Sequence, residues 1–347
     1  MGLSAFNAQM DNASFSVTQK REDTIKDALV TYLRANRRLP CPEITGLAGN
    51  LATPPIGREN RTNGVPPDPA FGCSSYVGTL PWLDLGLPRD AVLDGYGNFF
   101  SYYVTSEGVA ASDPGWTRTR NQAAATPVTG FSVGAPGRFP ITHNGQTTGV
   151  DSNFNPLPPL AAVVVVSHGK NGFGAITEKG TRNVGSADPN ESVNEPPGVA
   201  KTPTQWFPQL SPYQALGMRP PSVIPKDKTL VSGSITAGGT FDDIVLVLRP
   251  SDLLTPIIKD GAMKSLQAQL KESFNKISTA LAAYAFNTPN ATFGTSDCSI
   301  SGSSPYCRLL PATLSALAPY GIQADDLADP WGRPFRYSPL NTLTTST

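Results

Sequence analysis

Histidine is almost missing from this chain: His143 and His168 are the only two in 347 residues. That scarcity leaves little room for imidazole-based general-base or metal chemistry. Charge is sparse as well, at 16% of residues, and the 27 basic side chains cancel the 27 acidic ones. No electrostatic reason remains to expect a nucleic acid or an anionic membrane surface as partner. Long apolar runs are lacking: the longest, Leu160 to Val166, has the length of a strand and falls far short of the roughly 20 residues of a membrane helix. The four cysteines form two local pairs, Cys41 with Cys73 across a Pro- and Asn-rich loop, and Cys298 with Cys307 around a Ser/Gly turn. Without Cys-x-x-Cys steps or adjacent histidines they do not read as a zinc site. Two disulfides made in an oxidising compartment are expected, with free buried thiols the alternative.

What the chain does have is proline and glycine, 34 and 32 of them, which demand many turns and long connections between short strands. A nine-residue pattern occurs twice. It reads Asp94-Gly-Tyr96-Gly97-Asn-Phe-Phe100-Ser-Tyr102 and then Asp329-Pro-Trp331-Gly332-Arg-Pro-Phe335-Arg-Tyr337, both Asp-x-aromatic-Gly-x-x-Phe-x-Tyr. Upstream of each copy is an amphipathic stretch with Ala-Leu-x-x-Tyr, at Ala28, Leu29 and Tyr32 and at Ala280, Leu281 and Tyr284. The duplicated order predicts two related modules, residues 1–250 with long loops and a smaller one at 251–347, with Pro250 to Ile258 as the join. Apolar residues at three- and four-residue steps predict helices over Leu3 to Asn36 and Met263 to Tyr284. Phe99 to Thr105, Leu160 to Ser167 and Gly239 to Leu248 read as strands, the second apolar on both faces and therefore central. Gly169 to Pro225 reads as a long inserted loop. The first half of the N-terminal helix is polar enough to project from the body.

The helix feeding Arg38-Leu39-Pro40-Cys41-Pro42, then Gly78-Thr-Leu80-Pro81-Trp82, Asp-x-aromatic-Gly, the Val-rich strand ending Ser167-His168-Gly169-Lys-Asn171-Gly172, and Phe241-Asp242-Asp243-Ile244-Val245 together resemble the periplasmic part of prepilin-like proteins. These are the minor pilins of type IV pili and the pseudopilins of type II secretion. The resemblance covers most of the first two thirds and is thinner beyond. It implies an α+β fold, a pilin-like long N-terminal helix packed on an antiparallel sheet with large loops, followed by a second, reduced helix-plus-hairpin module. It also implies a non-enzymatic subunit acting in filament assembly, low-copy or at the tip, in the periplasm or on the surface of a Gram-negative bacterium. Its partners would be other pilin or pseudopilin subunits and, before assembly, the inner membrane, through an N-terminal apolar helix that this chain lacks. The alternative is an adhesive or ligand-binding module displayed on such a filament.

Candidate site residues follow from these readings. Asp94 and Asp329 can accept hydrogen bonds from the amides of the turns they begin, Gly97 and Gly332 can take positive φ, Phe100 with Tyr102 and Phe335 with Tyr337 start the strand that packs on each helix, and Tyr96 and Trp331 close the edge of each core. Ser167, His168 and the Asp242-Asp243 pair contain the residue types of a hydrolytic triad, but Ser167 is not in a nucleophile elbow, so no enzyme is expected. Gly169 to Gly174 fails the phosphate-loop pattern and reads as a turn. No organic cofactor is expected. Calcium takes oxygen ligands from irregular acidic loops, and Asn171, Asp188, Glu191, Asn194 and Asp242 supply them, the alternative being a solvated polar loop. The resemblance points the same way, since some pseudopilins hold calcium after their central strand, although an acidic position of theirs is Asn171 here.

Overall fold

No proline interrupts the stretch from Gly2 to Asn36, and it forms one helix, α1. Its inward face carries Thr18, Glu22, Ile25, Leu29 and Leu33, all buried, at the three- and four-residue spacing that keeps side chains on one stripe. From Phe6 to Met10 every residue is exposed. The helix stops at Arg37, whose φ of 53° is left-handed and whose N–H bonds the Leu33 carbonyl at 2.9 Å. Pro40 and Pro42 prevent its resumption.

The computed structural model describes residues 2–44, 55–61, 72–105, 115–118, 131–143, 146–147, 160–196, 230–231, 241–287, 311, 313–327, 329 and 334–337. Cys298, Cys307, Trp331, Gly332 and residues 197–225 of the expected inserted loop lie outside them. Among the described residues no helix is long and apolar enough to cross a membrane. The chain divides into two units, Met1–Met263 and Lys264–Thr347.

In the first unit β1 (Val77–Thr79), β3 (Ser101–Val104), β6 (Val163–Ser167) and β9 (Ile244–Leu248) form an antiparallel sheet in the order β1-β3-β6-β9. Short pairs surround it: β2 (Asn98–Phe99) with β7 (Ile176–Thr177), and β4 (Ile141–His143) with β5 (Gln146–Thr147) and β8 (Leu230–Val231). Every residue of β6 is buried. Val163 and Val165 join the cluster of Ile25, Leu29, Leu33, Phe100 and Tyr102, whereas Val164 and Val166 join Tyr103, Phe139 and Ile141 on the other face. Each such side chain contributes about 1.5–3 kcal/mol by leaving water. The architecture is thus α+β, a long helix with an antiparallel sheet.

Two expectations change. Pro250–Lys259, expected as the join, is a helix, α3, and its Leu253, Leu254 and Ile257 are buried in the first unit's core. The division therefore falls after Met263 instead of at 250. The described part of the Gly169–Pro225 stretch is not a free loop: it contains β7 and α2 (Pro189–Asn194) and buries Glu191 and Asn194. In the second unit α4 (Leu266–Asn287) packs Ile277, Ala280, Leu281 and Tyr284 with Leu314, Leu317, Phe335 and Tyr337. The expected hairpin is absent among the described residues. Two 3-10 turns, Leu314–Tyr320 and Ala324–Leu327, take its place.

The end of α1 is fixed covalently and electrostatically. Cys41 and Cys73 are bonded. Arg38 donates to both Glu59 oxygens at 2.8 and 2.7 Å, and Glu59 also receives Arg61 and the Cys41 amide. Glu43 accepts from the amides of Ile56, Gly57 and Arg58. Arg34 in the last turn and Arg38 just past it thus serve ion pairs within the fold, with Asp260 and Glu59 respectively.

Two measurements test this account. Glu22 sits on the inward face of α1 with Oε1 buried and unpartnered among the described residues, and burial, reinforced by Asp23, pushes its pKa from 4.5 to about 8. The folded state then holds a proton that the unfolded chain releases, so stability falls as pH rises from 4.5 to 8. Glu22→Gln should match the parent near pH 4 and exceed it by about 2–3 kcal/mol near pH 7, measured as urea midpoints across pH. Replacing Cys41 and Cys73 together by serine should cost about 2–4 kcal/mol, because the bond closes a long loop in the unfolded chain; an unchanged Tm would contradict it.

Candidate metal centre

Three carboxylates from two distant segments meet beside the end of β6. Glu191 lies on α2, and Asp242 and Asp243 stand just ahead of β9; one oxygen from each falls within 4.8 Å of the others. Local structure aims them. Asp188 accepts from the Asn190 amide at 2.7 Å and caps α2, which turns Glu191 inward until only 1% of it is exposed. Asn171 spans the gap, its amide donating to Asp242 Oδ2 at 2.9 Å and its side chain to Glu191 Oε1 at 2.7 Å. The Asp242 amide also donates to Glu191 Oε1, and Ser186 Oγ to Glu191 Oε2. Asn194 Nδ2 holds Asp243 Oδ2 at 2.8 Å. Three glycines with positive φ, Gly169, Gly172 and Gly174, shape the turn carrying Asn171, and a Cβ on Gly169 would strike Asp242.

Electrostatically the group is under-compensated. Burial, followed by the proximity of Glu191 and Asp242, pushes the Asp243 carboxyl from 3.8 up to about 8. Burial likewise raises Asp242, and its Oδ1 is buried without a hydrogen-bond partner among the described residues. Clustered carboxylate oxygens with an orphaned buried acceptor fit a hard divalent cation, which would supply the missing positive charge.

Of the five expected ligands, Glu191 and Asp242 converge. Asn171 and Asn194 instead donate hydrogen bonds to the carboxylates, and Asp188 is spent on the cap. The third carboxylate, Asp243, is missing from the expected set. The adjacent Asp242-Asp243 pair was the signal, but two neighbours in extended chain ordinarily face opposite ways.

His168 lies wholly buried beside the cluster, its Nδ1 3.8 Å from Asp243 Oδ1. The serine on its Nε2 is Ser101, at 2.7 Å, and not Ser167. Ser167 donates to Asp94 Oδ2 at 2.7 Å. Ser101, His168 and Asp243 thus stand in triad order, yet Ser101 is 1% exposed on a central strand, where no acyl group could reach its hydroxyl. His143 is in β4.

Asp94 organises the other expected turn. Its Oδ1 accepts from the Tyr96 and Asn98 amides, both at 2.9 Å, and Gly97 has φ 88°. Tyr102 is buried and donates to the Pro40 carbonyl. In the second pattern, Phe335 stacks on Phe274 and Tyr337 is partly buried in the unit's core along with Tyr284; Asp329 is partly exposed. No family model, curated protein or solved structure matches this chain.

Proposed function

We propose that the chain is a structural subunit of a periplasmic or cell-surface filament, a minor pilin or pseudopilin, and that α1 is its assembly element. The observation that carries this reading is an unused apolar seam on α1. Phe6 and Met10 are 60% and 54% exposed, and Val17 is exposed too; with Ala13 they follow 4-3-4 spacing, the stripe by which one helix packs along another. Its position on the helix differs from that of the docked stripe Thr18, Glu22, Ile25 and Leu29. One helix thus presents a face to the head and another to a neighbour. The long helix on an antiparallel sheet agrees with a pilin-like head. In both units the Ala-Leu-x-x-Tyr helix shares a core with Phe-x-Tyr, Leu29 with Phe100 and Tyr102, Leu281 and Tyr284 with Phe335 and Tyr337, which supports an internal duplication. The Cys41–Cys73 bond suits an oxidising periplasm, with the subunit anchored in the inner membrane before assembly and sibling subunits as partners.

Calcium is part of the same reading. Glu191, Asp242 and Asp243 would hold it, and its role would be charge neutralisation that ties α2 to the segment entering β9.

Met10→Glu with Val17→Glu should leave the Tm of the purified chain unchanged, since both side chains are exposed, while abolishing incorporation into filaments sheared from cells; normal incorporation would refute the assembly role. Calcium should raise the Tm of the parent. Asp243→Asn should remove that response and, because the folded protein no longer has to hold this carboxyl protonated above its ordinary range, raise the ion-free Tm near pH 7 by several degrees. A Tm indifferent to calcium in the parent would refute the cation reading.

A further inference from the structure

The four-stranded sheet of the first unit has two edges, and they are finished differently. The edge at β1 is capped by Glu43, whose amide donates to the Thr79 carbonyl at 3.0 Å and whose carbonyl accepts the Thr79 amide at 2.9 Å. At the other edge, among the described residues, β9 pairs with β6 alone and stands last in the sheet. Ile244, Val245, Leu246 and Val247 are each only partly buried. Leu246 leans on the core of one face, and Val245 and Val247 lean on that of the other. Alternate residues of such a strand turn their N–H and C=O groups outward, a ready template for another strand. Edge strands are ordinarily guarded by charged side chains or proline, and Ile-Val-Leu-Val-Leu contains neither.

The charges stand at the two ends of β9 instead, and they have opposite sign. Asp242 and Asp243 lead into the strand, and Arg249 follows it, just before Pro250 opens α3. Asp242 is half-buried, and Arg249 is partly exposed and in no ion pair among the described residues. A strand with an acidic start and a basic end is complementary to itself when it runs antiparallel. With Leu246 on a twofold axis, Val245 lies opposite Val247, Ile244 lies opposite Leu248, and Arg249 of each copy comes to the acidic start of the other. Parallel pairing would set like charges side by side, which is destabilising.

We infer that β9 is a self-docking edge, at which two copies of this chain pair antiparallel about a twofold axis through Leu246 and join their four-stranded sheets into one. The contact is isologous, each copy offering the same patch. Backbone hydrogen bonds and the apolar row supply affinity, and the terminal charges fix the register. A strand of five residues buries less than the roughly 1,000 Å² of a stable interface, so the dimer is weak, with a Kd on the order of micromolar or above. The pairing depends on neither the α1 seam nor a bound ion.

Sedimentation of the full chain between about 5 and about 500 µM should show monomer converting to dimer. Met10→Glu with Val17→Glu, which disables the α1 seam, should leave that dimer intact. Arg249→Glu should raise its Kd roughly ten-fold or more. Mild oxidation should trap Leu246→Cys as a disulfide dimer, since residues directly opposite lie about 4.5–5.5 Å apart at Cα, within reach of the bond. Val245→Cys, about 7–8 Å from its own mate on the diagonal, should resist trapping. If Leu246→Cys does not fold, Arg249→Glu carries the test on its own. A parent that stays monomeric throughout overturns the inference. So does a dimer that the α1 variant abolishes, a dimer that Arg249→Glu leaves unchanged, or equal trapping at the two cysteine positions.

Discussion

The first unit depends on burying β6 on both faces. A strand of four valines and a serine has no polar side to turn outward, so it demands cover above and below. α1 and α3 belong to the cluster on one face, and Tyr103, Phe139 and Ile141 supply the other. Both edges of β6 are paired as well, with β3 and β9. That enclosure decides where the strand can end. Ser167 is its last residue, and the polar groups of the site gather there because the apolar run has stopped.

Burying carboxylates at that end carries a cost that the fold meets in two ways. Asp94 is 1% exposed, and burial raises its pKa, but two turn amides, Ser167 and the nearby charge of Arg21 all oppose that rise. Asp243 has one amide donor, from Asn194, and carboxylate neighbours. The same residue type is surrounded by hydrogen-bond donors and a cation in one place and by other carboxylates in the other. Desolvated like charges of this kind are where function is sought.

Local features were the ones legible from sequence. α1 and α4 declare themselves by periodicity, β6 by an unbroken apolar run, the Asp94 turn by an acceptor at its start, and the Cys41–Cys73 bond by two cysteines around one loop. The site was half legible. Glu191 and Asp242 could be named because an acidic loop was visible, but Asp188 and Asp243 exchange roles for a reason set by tertiary structure: a six-residue helix needed a cap, and β9 had to return beside it. Ser101 was invisible as the partner of His168 because they are 67 residues apart and meet only once β3 and β6 pair. α3 is hidden in the sequence because a helix with a leading and an internal proline, Pro250 and Pro256, reads as a join between modules until its leucines find a core.

The length of α1 has a mechanical consequence. Apart from the exposed Lys170–Asp11 pair, close packing on the head begins at Ser14, against Gly95, so about 18 Å of helix lies beyond that packing at 1.5 Å per residue. A rod of that length is a lever: a tilt of about 10° at the Asp94 turn moves its tip by about 3 Å, enough to shift side chains out of register with a neighbouring helix packed at 8–10 Å. Tolerances at a single β-turn would thus be magnified at the far end of the helix, and a turn that bonds its own amides, a helix arginine and a strand serine at once has little slack to pass on.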